Sequence, residues 1–240
     1  MTQRWRILAT LVAVLALSGL TAGQAAAAET LSFVPQSNKF PLKASVKGHE
    51  MTFYEVSEAY ACETVGGELE VTGHKTAKIK LVLKGCNTPT GAKCQSEGAA
   101  SEEIKTASLP VELVYTNKEH HEAGLDINYA EAGKTAGQLA AWGCKGILGG
   151  ETKGLGIRGS LIAPATAVNV QAATHTLTLS HVAKTETQSP RSYETEAGKL
   201  YTAFPELALV ASEDYLEGSV TDEKIEVTSL AGEGNLEIKA

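Results

Sequence analysis

The segment Gly154-Leu155-Gly156-Ile157-Arg158-Gly159 fits the pattern G-x-G-x-x-G. Glycines so spaced let a tight backbone turn hold a pyrophosphate at a helix N-terminus. That chemistry needs a helix opening within the motif and an acidic residue about 20 positions on. Here the chain runs into Ser160-Leu161-Ile162-Ala163-Pro164, which reads as a strand, and position 179 is Leu. The glycines are therefore expected to be close-packed or bulged strand positions, with no cofactor. His120-His121-Glu122, beside Glu119, is the densest group of metal-ligand types. Neighbouring side chains on a strand point to opposite faces, so the two histidines share an ion only in an irregular turn. A solvated hairpin tip is expected, and no metal site.

Nucleophilic and carboxylate chemistry find as little support. No serine lies in G-x-S-x-G; Ser160 sits in Gly-Ser-Leu, and His49, His74, His175 and His181 are scattered. Glu102-Glu103 and Glu213-Asp214 are the kind of pair a glycosidase would place across a cleft. Among 28 acidic residues such neighbours arise by chance, and a charged solvent face is the simpler reading. No catalytic residue is assigned.

The four cysteines, Cys62, Cys86, Cys94 and Cys144, carry the strongest covalent signal. No Cys-x-x-Cys pair favours a metal, and an even count in an exported chain reads as two disulfides. Asn87-Thr88-Pro89-Thr90-Gly91 is a turn-rich loop able to bring Cys86 to Cys94. That pairing is favoured, and Cys62 with Cys144 follows by elimination.

The elements that must position these residues are strands. Ile79, Leu81 and Leu83 alternate with Lys78 and Lys80, the mark of a half-buried strand. The same period recurs in Leu109, Val111, Leu113 and Tyr115, then in Leu125, Ile127 and Tyr129, which read as a hairpin with His120 and His121 near its tip. Further strands are expected around 69–71, 155–162, 174–182, 207–210, 225–227 and 236–238. Only 134–142 could supply a short helix. The polar stretch around 183–199 is expected to be a long loop. Trp142, two residues before Cys144, reads as a core residue packed on a disulfide rather than as a sugar platform. These patterns predict an all-β fold, an antiparallel sandwich or barrel-like domain with two disulfides, over residues 29–240.

Residues 1–28 join Arg4 and Arg6 to an apolar run over 7–17 and end in Ala25-Ala26-Ala27-Ala28, the three-part pattern of a cleavable secretory signal. The run is shorter than the roughly 18–20 residues of a bilayer span. Loss of the two arginines leaves 19 basic against 28 acidic residues, a formal charge of −9. That balance argues against a nucleic-acid or anionic-membrane partner.

The order Cys62, Leu81-Val82-Leu83-Lys84-Gly85-Cys86, Lys93-Cys94, Trp142-Gly143-Cys144 and Arg158-Gly159-Ser160-Leu161-Ile162 resembles a group of secreted β-rich proteins of high-GC Gram-positive bacteria. No activity or functional residue is assigned to that group, so the resemblance implies secretion and β structure alone. The expected role is a non-enzymatic binding or structural domain, secreted or retained at the cell surface, facing a cell-envelope or extracellular ligand. Two rivals are a secreted hydrolase with an unrecognised site and an inhibitor-like domain presenting the loop between Cys86 and Cys94.

Overall fold

A computed structural model describes residues 30–54, 59–128, 137–146, 150–182, 187–202, 205–209, 215–217 and 219–240. The expected signal at 1–28 and the pair Glu213-Asp214 lie outside them. The strands are β1 (Ser32–Pro35), β2 (Leu42–Gly48), β3 (Met51–Tyr54), β4 (Ala59–Cys62), β5 (Thr64–Val71), β6 (Thr76–Lys84) and β7 (Lys93–Gln95). Next come β8 (Glu103–Lys105), β9 (Leu109–Asn117), β10 (Glu122–Ile127), β11 (Gln138–Lys145), β12 (Glu151–Gly159), β13 (Leu161–Pro164) and β14 (Thr174–Val182). The last are β15 (Thr187–Ser189), β16 (Ser192–Glu194), β17 (Leu200–Thr202), β18 (Pro205–Leu209), β19 (Tyr215–Glu217), β20 (Ser219–Ser229) and β21 (Leu236–Lys239). The fold is all-β, with no helix among the described residues.

Antiparallel pairing runs β13-β10-β9-β6-β5-β2-β20-β14, and a bridge from Ala165 to Leu177 links its two ends into a nearly closed barrel. The alternation seen in the sequence is what fills it. Leu42, Ala44 and Val46 of β2, Leu69 and Val71 of β5, and Ile79, Leu81 and Leu83 of β6 point inward, while Lys78 and Lys80 stay exposed. An eight-stranded barrel has an interior about wide enough for side chains to fill. The strands approach closely at Gly67, where an added Cβ would lie 2.1 Å from the Lys80 carbonyl oxygen, so only glycine fits.

A second sheet, β19-β18-β12-β11-β7, packs beside the barrel. The long strand β20 pairs in two directions: Ser219, Val220 and Thr221 pair with β3, and later residues pair with β14 and β2. Buried side chains of both sheets form one continuous core. In it Trp142 lies 5.2 Å from the Phe53 ring and 5.6 Å from Tyr60, as a core tryptophan should. The ribbon of β1 with β21 covers one barrel end, and the buried His175 imidazole ties that end together, facing the Leu236 carbonyl at 2.8 Å and the Thr166 carbonyl at 3.3 Å.

Three expectations need correction. The disulfides are Cys62–Cys86 and Cys94–Cys144, not Cys86 with Cys94 and Cys62 with Cys144. The 86–94 loop does close, since Cys94 N–H donates to the Cys86 carbonyl at 2.9 Å. Yet Asn87 bridges Ala61 on one side and Lys93 on the other, and Cys94 lies directly opposite Cys144. Each sulfur therefore meets a strand distant in sequence rather than its loop partner. Part of the stretch expected as a short helix, from Gln138 on, is strand β11. The stretch around 183–199, expected as a loop, carries β15 and β16 in its described part, and β17 follows at Leu200.

Candidate functional site

The outer face of the second sheet holds an open trench. Alternation along β11 turns Trp142 and Cys144 inward and leaves Ala141 and Gly143 facing out. A β-bulge falls between Trp142 and Cys144 in the pairing with β12, and opposite it Gly154 takes φ +73°, a conformation natural to glycine. With almost no side chains there, Ala141, Gly143 and Gly154 form a bare floor. The resulting cavity has a volume of about 590 Å³. Small-ligand sites commonly span about 300–1,000 Å³.

The trench walls are polar. Gln95 stands beside Gly143 in the register of β7 with β11, and Lys93 stands beside Lys145. Lys93 is paired with Glu102 at 2.9 Å, and Glu97 and Gln138 complete the polar rim. Ser96 fastens wall to floor, its Oγ donating to the Ala141 carbonyl at 2.6 Å and accepting from the Lys105 N–H at 3.0 Å. The Cys94–Cys144 disulfide lies under the same pair of strands. The trench is therefore built on a stapled, rigid support.

A second cluster lies on the outer barrel wall. Asp126 of β10 stands opposite Glu112 of β9 on one side and Ile162 of β13 on the other. Above them the β16–β17 hairpin lays Tyr193 on Val114 and Ile162, with Tyr201 stacked on it at 5.5 Å. Asp126 is 2 % exposed and accepts hydrogen bonds from the Ser160 and Tyr193 hydroxyls, while its Oδ1 has no partner. Asn128, at φ 63°, bonds the Gly137 and Gly159 carbonyls and so fixes the chain entering Ser160. Burial pushes the Asp126 carboxyl up to about 7, the two hydroxyls opposing this and Glu112 adding to it. Burial also raises Glu112, against the pull of Lys75, and raises the Tyr193 phenol.

The residues singled out in the sequence fall elsewhere. His120, His121 and Glu122 are exposed at the β9–β10 turn, with His121 at φ 55°. The G-x-G-x-x-G segment lies within β12, paired on both sides, so no helix N-terminus receives a phosphate there. His49 is exposed, and His74 packs edge-on against Phe40. The His181 side chain lies outside the described residues. Glu102 and Glu103 pair with Lys93 and Lys105. Ser160 does take part in a polar network, but with Asp126 and Tyr193. Sequence reasoning missed Asp126 and Tyr193. Alternation puts Asp126 on the outer face, and nothing local announces that a hairpin 70 residues later covers it.

No family model matches the chain, and neither does any curated protein or solved structure.

Proposed function

We propose that this chain is a non-enzymatic binding domain of the extracellular or cell-surface space that holds an extended polar ligand in the trench between Lys93, Gln95 and Lys145. The observation that carries this reading is the bare glycine floor with polar walls on a disulfide-stapled sheet. Disulfides suit an oxidising compartment, and the N-terminal pattern supports delivery there. Among the described residues no helix is long and apolar enough to cross a membrane.

The rival readings gain less support. Among the described residues lining the trench Glu97 is the only carboxylate, whereas glycoside hydrolysis uses two across the scissile bond. Of the second cluster, Asp126 and Ser160 are buried, and Asp126 is bonded to Tyr193 of the covering hairpin, which closes it to a substrate. An inhibitor-like loop needs an extended segment, but Thr88–Ala92 is a compact turn closed by Thr88 N–H to the Ala92 carbonyl and Gly91 N–H to the Thr88 carbonyl.

The test uses Ala141→Trp, which fills the floor from an outward-facing position. Wild-type protein should co-sediment with purified cell-envelope polysaccharide or with an extended polypeptide. The variant should bind about tenfold more weakly or worse, a loss of about 1.4 kcal/mol, at an unchanged melting temperature. Equal binding by both proteins would remove the trench from consideration, and release of soluble products would instate the hydrolase.

A further inference from the structure

Among the described residues the β16–β17 hairpin joins the barrel wall through one strand pairing, Glu194 with Tyr115. Its rim is held by charges: Lys118 to Glu194 at 3.8 Å, Lys118 Nζ to the Glu196 carbonyl at 2.8 Å, Lys75 to Glu196, and Lys199 over the Tyr201 ring at 4.5 Å. Exposed ion pairs contribute about 0.2–1 kcal/mol each. What seats the hairpin is therefore its centre, where Tyr193 is buried against Val114 and Ile162 and donates to Asp126.

The groups facing Asp126 come from every neighbouring element. Glu112 lies opposite on β9, the Ser160 hydroxyl comes from the chain before β13, and the Tyr193 hydroxyl comes from β16 with Tyr201 of β17 stacked behind it. The cation of the cluster, Lys75, acts on Glu112 and is itself paired with Glu196.

The geometry points to the β16–β17 hairpin being a proton-held flap, which closes over Glu112 and Asp126 while they retain a proton and lifts when both are ionised, uncovering Val114 and Ile162. A carboxyl buried under an aromatic lid, with a second carboxylate beside it, ionises only at a high cost, and opening the lid supplies the water that receives the charge. The raised position of the Asp126 carboxyl sets the response between acidic and neutral conditions.

Hydrogen exchange on the purified protein, corrected for intrinsic rates, reads this directly. Protection of residues 192–202 should fall about tenfold per pH unit between about pH 5 and 7, and at every pH it should lie well below that of β5 and β6, which open only with the whole fold. Asp126→Asn should make the hairpin insensitive to pH. Glu112→Gln, at a half-buried position, should shrink the response by removing the neighbouring charge, and it serves if Asp126→Asn does not fold. The proposal is overturned by hairpin protection that ignores pH in the wild type, by an undiminished response in either variant, or by barrel strands no better protected than the hairpin.

Discussion

Asp126 makes the stability of the whole protein respond to pH through one atom group. Its carboxyl sits at about 7 in the fold against 3.8 in a free chain, so between those values the folded state keeps a proton that the unfolded state has lost. The stabilisation is fully present below about pH 4 and is lost as pH rises to about 7, a total of about 4 kcal/mol. Urea unfolding should therefore give a higher midpoint at pH 5 than at pH 8. Asp126→Asn should erase most of that difference and be the more stable protein at pH 8; an unchanged pH dependence would count against the burial argument. His175 is a residue of another kind. It holds a β14 ring against carbonyls of two other segments, and His175→Ala should lower stability by about 2–4 kcal/mol through the lost bonds and the cavity, measured by thermal or urea unfolding. Neither role is legible in the sequence. A histidine in Thr-His-Thr and an aspartate in Leu-Asp-Ile look alike whether water or a distant strand faces them.

At the level of elements, local periodicity was sufficient where a strand meets its own neighbours. The β9–β10 pairing and the inward residues of β6 follow from alternation alone. It failed where position depends on partners far along the chain. The 86–94 loop closes as its turn residues require, yet Cys86 bonds Cys62 and Cys94 bonds Cys144, because β4 and β11 flank that loop on opposite sides. Likewise the polar composition of 187–202 hides three strands, since among the described side chains their buried anchor, Tyr193, stands between Ser and Glu. Peptide mapping without reduction should recover a fragment joining Cys62 to Cys86 and another joining Cys94 to Cys144; a fragment joining Cys86 to Cys94 would overturn the observed pairing. By the chain-entropy argument the bridges contribute about 3 and about 4 kcal/mol, so the bridge beneath the trench is the larger support.

At the scale of the molecule, closure of the barrel depends on one strand. β20 supplies pairing partners to β2 and β14 in the barrel and to β3 beside it, and Val227 lies opposite Val46 from the far end of the chain. Such long-range pairing incurs loop-closure entropy before it yields contacts, which slows folding. A chain emerging N-terminus first from any pore can assemble hairpins such as β5–β6 and β9–β10 early. It cannot close the barrel until residues 219–229 have come through. The chain therefore stays open for nearly its whole length, and its final shape waits on its C-terminal strands.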